Sequence, residues 1–205
     1  MARVSRYSKQ SYTISIITKG ECAQLLLPYH YLSSISKGFK SGINYGLWAG
    51  DVLVGVCIFT GLPVAELAVG CFGLDRKEQE GLYELSRLCL HPEHQRHAHN
   101  LASWFLSRCL KLLKKHNRCR AVLSYADTAY HQGTVYAACN FKYYGMTASK
   151  KDFWIEQADG IYVKHSRGKT KGVLGEWRAR TRKHRFLFIY DKFIYCLWEE
   201  EKWQG

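Results

Sequence analysis

The sequence predicts a mixed α/β fold, one sheet with helices on both faces, on three observations. Strand-like and helical runs follow one another as strand, helix, hairpin, strand, long helix, strand, short helix, strand. Two strand-like runs, INYGLWAG and DVLVGVCIFTG, meet at Ala49-Gly50-Asp51, a hairpin signal. One long stretch, NLASWFLSRCLKLLKKHN, carries an apolar stripe at helical spacing.

SYTISIIT (11–18) alternates like an edge strand, and ECAQLLLPYHYL (21–32) has helical spacing until Pro28. His30 and Tyr31 therefore fall at or just after a helix end. SISKGFKSG is a loop by composition, and residues 62–80 are irregular. LYELSRLCL (82–90) is a strong strand. In the long helix Leu101, Phe105, Cys109 and Leu113 are spaced by four, with Ala102, Leu106 and Leu110 on the same face. Asn100 is its expected N-cap, and Lys114, Lys115 and His116 suit its C-terminal dipole. CRAVLSYA (119–126) is the next strand, GTVYAACN (133–140) a short helix, and FKYYGMT a final strand.

The 205 residues divide into a catalytic domain over 1–160 and a basic extension over 161–205, packed on it or continuous with it. No apolar run approaches the length of a membrane span, and MARVSRYSKQSY lacks the apolar middle of a secretory signal, so a cytoplasmic location is expected. Eight cysteines show no CxxC pair and sit in apolar runs such as VGVCIF, which reads as reduced, buried thiols. The net charge of +13, from 30 Lys and Arg against 17 Asp and Glu, points to a polyanionic partner. The excess concentrates between Lys164 and Arg185, where Lys169, Lys171, Arg178, Arg180, Arg182, Lys183 and Arg185 face one acid, Glu176. These are the expected nucleic-acid contacts, with Trp177 and His184 interleaved.

The order of elements, with an Asn-Phe and an aromatic strand after the last short helix, resembles the GCN5-related N-acetyltransferase (GNAT) fold. PYHYLSS, INYGLWAGDVLVGVCIF, YELSRLCL, NLASWFLSRCLKLLKK and SYADTAYHQGTVYAACNF together resemble the Mom family of phage DNA modification proteins. That resemblance spans roughly residues 26–148. It implies conversion of adenine to N6-carbamoylmethyladenine in double-stranded DNA, which protects phage DNA from restriction. A conventional CoA-dependent acetyltransferase of protein or small-molecule amines, and a non-catalytic DNA-binding module, are the rival readings.

One departure from the GNAT pattern stands out. The stretch before the long helix is HPEHQRHAHN, with Gln95, Arg96 and Ala98 but no glycine. Backbone cradling of a CoA pyrophosphate is therefore in doubt, and Arg96 and the imidazoles are the alternative phosphate ligands. His91, His94 and His97 also suggest a metal, iron among the candidates, but no carboxylate or cysteine other than Glu93 completes a first shell, so no metal residues are assigned. The donor is expected to be acetyl-CoA or a glycyl ester on tRNA.

Adenine N6 is a poor nucleophile, so the site must take its proton and steady an oxyanion. Asp127, at a strand end, is either the proton acceptor or the cap of the following turn. Ser124 either hydrogen-bonds substrate or is a plain strand serine. Tyr136 is the general acid by resemblance, or a packing residue. Arg87, beside Ser86 in an apolar strand, needs a partner, and Glu84 three positions earlier is expected on the other face. Arg87, Ser86 and Arg96 are therefore assigned to the donor. His30 and Tyr31 fall where this fold shapes the acceptor site. Tyr29, Tyr31, Phe39, Tyr45 and Tyr125 are candidates for stacking on an extruded base.

Overall fold

The computed structural model describes residues 11–32, 38–166 and 168–205; Arg167 of the basic stretch lies outside them. In chain order the elements are β1 (Tyr12–Ile16), α1 (Lys19–Tyr29), β2 (Ile43–Ala49), β3 (Val52–Gly61), α2 (Glu66–Phe72) and β4 (Leu82–Leu90). Then come α3 (Pro92–His97), α4 (Leu101–Asn117), β5 (Ala121–Asp127), α5 (Thr134–Ala137), β6 (Lys142–Met146), β7 (Lys151–Glu156), β8 (Tyr162–His165), β9 (Glu176–Ala179) and β10 (Lys183–Ile189).

A seven-stranded sheet runs β1-β2-β3-β4-β5-β10-β6, with β1 at its edge as the alternation of SYTISIIT predicts. Its neighbours are antiparallel except β4 and β5, which are parallel and joined through α3 and α4. Helices cover both faces. Phe105, Leu106, Cys109, Leu110 and Leu113 of α4 pack on Leu47, Cys57, Phe59 and Val122. On the other face Cys22, Leu25 and Leu26 of α1 meet Val56, Ile58 and Cys89, while Ala68, Cys71 and Phe72 of α2 meet Leu82, Leu123 and Leu187. The period-two alternation of β3 thus feeds two separate cores. Among the described residues no helix is long and apolar enough to cross a membrane. All eight cysteines are free thiols, seven of them buried.

Residues 183–189 are woven into the core. β10 inserts between β5 and β6, with Phe186 and Leu187 almost wholly buried. β8 and β9 flank β7 in a separate three-stranded sheet, β8-β7-β9.

His30 and Tyr31 fall at or just after the end of α1 as expected, while three local details differ from the sequence pattern. α1 continues through Pro28 to Tyr29, and the chain leaves the helix at His30, whose N–H still donates to the Leu26 carbonyl. A seven-residue helix, α2, fills part of 62–80 and stops at Gly73, which takes a left-handed φ of 64°. Asn100 does not cap α4 with its side chain; it adopts a left-handed φ of 56° between α3 and α4.

Candidate active site

The parallel strands β4 and β5 pair only from Leu82–Leu85 to Ala121–Ser124. Beyond that the strands part, and β4 bulges there. Ile58 pairs with Arg87 and the next residue, Phe59, with Leu85, leaving Ser86 as the extra residue. The Ser86 hydroxyl donates to the Ile58 carbonyl at 3.2 Å, which pins the bulge. The shift in parity has a consequence the strand pattern concealed. Glu84, opposite Thr60, and Arg87, opposite Ile58, share one face of the sheet instead of lying on opposite faces. Burial dominates and raises the Glu84 pKa, against the opposing charges of Lys183 and then Arg87.

A cavity of about 500 Å³ occupies this fork. It is walled by Ser86–Leu90 of β4, Tyr29–Tyr31 at the end of α1, Thr134–Tyr136 of α5, and Tyr125, Tyr130 and His131. Arg87 donates from one terminal nitrogen to the Ser86 carbonyl at 2.6 Å. Its Nε is buried and has no partner among the described residues. A buried guanidinium nitrogen without an acceptor is costly, and a bound anion or carbonyl oxygen would remove the cost.

Tyr136 is buried, and desolvation raises its phenol well above the usual range, so it stays protonated. The Ser124 hydroxyl lies close enough to oppose that shift, although no hydrogen bond of ordinary geometry joins the two, and its Oγ is buried without a partner among the described residues. His30 is pushed down to about 4 by burial, aided by the Arg87 charge. Its Nδ1 accepts the Leu32 N–H at 3.1 Å, which places the proton of the neutral ring on Nε2. His30 is thus a neutral donor near pH 7. Tyr31 is stacked between His30, with centroids 4.5 Å apart, and Tyr130, at 4.2 Å. Of the other aromatic candidates, Tyr29 and Tyr125 line the cavity, whereas Phe39 and Tyr45 are buried in the cores.

Asp127 and Ser124 do not line the cavity. The Asp127 carboxylate accepts the Ala129 N–H at 3.1 Å, and its carbonyl accepts the N–H groups of Tyr130 and His131. It therefore builds the turn that presents those two rings, the cap role foreseen for it. It also acts at a distance: burial lowers the His131 pKa, and the Asp127 charge opposes that. His131, 6.0 Å from the Tyr136 ring, went unnoticed in the sequence except as a turn residue.

The approach to α4 is the histidine-rich stretch, of which Pro92–His97 form the short helix α3. Three of its amides are engaged: Gln95 N–H donates to the His91 carbonyl, Ala98 N–H to the His94 carbonyl, and Leu101 N–H to the Ala98 carbonyl. Tyr29 bonds His91 Nε2 at 3.0 Å and Tyr12 bonds His94 Nδ1 at 2.9 Å. Among the described residues no group of three or more His, Cys, Asp or Glu is placed to hold a metal ion. Arg96 is exposed, its Nε turned back to the Pro92 carbonyl at 3.3 Å.

The predicted nucleic-acid contacts fall into three groups. Arg180 grips the buried Asp152 through two nitrogens, at 2.9 and 2.5 Å, and Lys164 joins the same carboxylate. Arg178 pairs with Glu176 and lies 4.0 Å over the Tyr162 ring. Arg182 bonds the Thr147 carbonyl at 2.8 Å. Lys169 and Lys171 are exposed on the β8–β9 connection, and Lys183 and Arg185 lie on β10, in the main sheet.

Solved structures share this architecture. The chain is similar to the IAA acetyltransferase from Bacillus cereus (14% identity, TM-score 0.53, covering 87% of this chain and 99% of that one). It is similar to the ribosomal-protein-S18-alanine N-acetyltransferase from Escherichia coli (11% identity, TM-score 0.52, covering 90% and 99%). A GNAT family acetyltransferase from Elizabethkingia anophelis with acetyl-CoA bound is a third (15% identity, TM-score 0.51, covering 88% and 99%). At such identities the likeness shows a GNAT-like fold. A comparison with curated protein sequences found no match. The model of the Mom protein family matches residues 11–203, nearly the whole length, and the chain belongs to that family.

Proposed function

We propose that this chain modifies adenine at N6 in double-stranded DNA, by an acyl-transfer step at the β4/β5 fork, toward N6-carbamoylmethyladenine. The observation that carries the reading is the Arg87 Nε, buried at the fork cavity with no acceptor among the described residues. A guanidinium so placed suits the oxygen of an acyl group, whose negative charge grows as N6 attacks. Tyr136, kept protonated, suits donation to the leaving group, with Ser124 beside it. His131 is the nearer proton acceptor, and the Asp127 carboxylate steadies its charged form. His30 contributes a neutral Nε2–H, and the Tyr31–Tyr130 stack offers a flat surface for a base drawn out of the duplex. The net charge of +13 supports a nucleic-acid partner.

Two donors remain in view. Acetyl-CoA is favoured by the acetyl-CoA-bound neighbour. The approach to α4 does not offer a CoA diphosphate a glycine loop: HPEHQRHAHN has no glycine, and the Gln95, Ala98 and Leu101 amides are tied within α3 and the following turn. A glycyl ester on tRNA fits the product: a glycyl group on N6 would carry an amine able to attack C6 and release the old N6 as a carboxamide. Feeding 15N-glycine to expressing cells and analysing DNA nucleosides by mass spectrometry tests both points. Label on the exocyclic nitrogen supports the glycyl donor. A carbamoylmethyl product without label on its exocyclic nitrogen favours acyl-CoA with separate amidation, and adenine without any adduct overturns the function.

A further inference from the structure

We propose that a second cavity, adjoining the fork, seats a phosphate-bearing nucleotide of the acceptor strand. The proposal deepens the DNA-modifying function and rests on it. The cavity has a volume of about 510 Å³, room enough for one nucleotide. It lies on the face of the sheet that carries α2, and Tyr125 lines both it and the fork cavity.

Its chemistry is two-sided. Val64 and Leu67, before and within α2, form an apolar wall suited to the flat face of a base. Lys150, Lys183 and Arg185 converge from other elements. The Arg185 guanidinium lies 4.4 Å over the Trp198 ring, and its buried Nε has no partner among the described residues. Three cations against the single carboxyl of Glu84 make an anion site, and the cation–π contact with Trp198 positions the Arg185 guanidinium. Arg180 also borders the cavity, but its charge is answered by Asp152.

The adjacency gives the cavity its role. The bulge at Ser86 brings Glu84 and Arg87 to one face, and Glu84 lines the second cavity while Arg87 lines the first. A nucleotide whose phosphate rests on Lys183 and Arg185 has its base toward Tyr125, at the border of the acyl site. The unpaired guanidinium nitrogens of Arg87 and Arg185 thus serve two different oxyanions, acyl and phosphate.

Isothermal titration calorimetry of the full chain with deoxyadenosine monophosphate, deoxyadenosine and a single-stranded pentanucleotide bearing one adenine tests this. The monophosphate should bind at least about tenfold tighter than the nucleoside, as expected for charge-assisted contacts, and the pentanucleotide at least as tightly. Lys183→Gln should lose about tenfold for the monophosphate and nothing for the nucleoside. Exposed Lys150→Gln, which leaves the core untouched, should lose in the same sense; Arg108→Gln on α4 is the remote control. The proposal is overturned if monophosphate and nucleoside bind alike, if both lysine variants bind as wild type, if Arg108→Gln loses as much, or if the pentanucleotide is refused. Nucleoside analysis of DNA from cells expressing the same proteins separates the two levels. Modified adenine with unweakened binding in the lysine variants overturns the cavity alone, whereas the expected binding pattern without any modified adenine overturns the function alone.

Discussion

Two arginine-bearing regions of this chain differ in how their charges are used. In the small sheet β8-β7-β9, Arg180 is locked on the buried Asp152 and Arg178 is clasped by Glu176 over Tyr162. At the fork of the large sheet, Arg87 reaches only a neighbouring carbonyl with one nitrogen and leaves Nε unanswered. Charge density along the sequence marks the first region, yet it is the second that has binding capacity to spare. A guanidinium already paired contributes mainly to the fold, whereas a buried unpaired one contributes mainly to a ligand.

Removing the Tyr136 hydroxyl is the largest change expected short of removing Arg87. Tyr136→Phe should lower the modification rate about 10²- to 10³-fold as the loss of a general acid. Its melting temperature should hold, since that hydroxyl lacks a well-formed bond. A variant with normal activity would reduce Tyr136 to packing.

Arg180→Ala should instead show in stability. Leaving the Asp152 carboxylate short of its bidentate partner should cost about 1–3 kcal/mol, below the roughly 3–5 kcal/mol of a wholly buried pair because Arg180 is partly exposed and Lys164 remains, read by denaturant unfolding. The same variant should keep most of its per-molecule activity when folded. An unaltered unfolding midpoint together with lost DNA affinity would reverse the contrast and return Arg180 to the interface.

His30 gives a prediction in pH. Its folded pKa, about 4, lies below the ordinary histidine value, so the unfolded chain binds the proton more readily. The stability due to its neutral form is complete above about pH 6.5 and drains away as pH falls toward 4, by on the order of 3 kcal/mol. His30→Gln should flatten the stability curve between about pH 6.5 and pH 4. Identical slopes in the two proteins would mean that the imidazole is not held neutral.

The smallest effect belongs to exposed charge. Changing Lys169 and Lys171 to Gln should weaken DNA binding uniformly across sequences and reduce the slope of log affinity against log salt by about 2. An unchanged slope removes the β8–β9 connection from the interface.

What the sequence disclosed and what it hid follow from the range of the interactions. β4, β5 and α4 carry short-range periodicity strong enough to read, and with them Arg87, Tyr136, His30 and Tyr31 came to one cavity. The bulge at Ser86 is a matter of register with β3, invisible along a single strand, and so Glu84 was assigned the wrong face. β10 was hidden for the same reason. KHRFLFI begins with the basic residues that attracted a charge reading, and its place between β5 and β6 is set by partners 38 to 68 residues away. The FLFI run was the signal available for it. Asn100 shows the limit of residue preference: a good capping type was recruited for a left-handed turn between two helices.

The proposed action of Arg87 at the fork on the acyl group that modifies adenine is tested by quantitative nucleoside mass spectrometry of plasmid DNA from cells expressing wild type, Arg87→Gln or Arg180→Gln at matched soluble levels. Wild type should give an N6-carbamoylmethyladenine peak, Arg87→Gln a loss of at least about 100-fold, and Arg180→Gln a retained peak. A peak undiminished in Arg87→Gln, or abolished only in Arg180→Gln, would contradict that action.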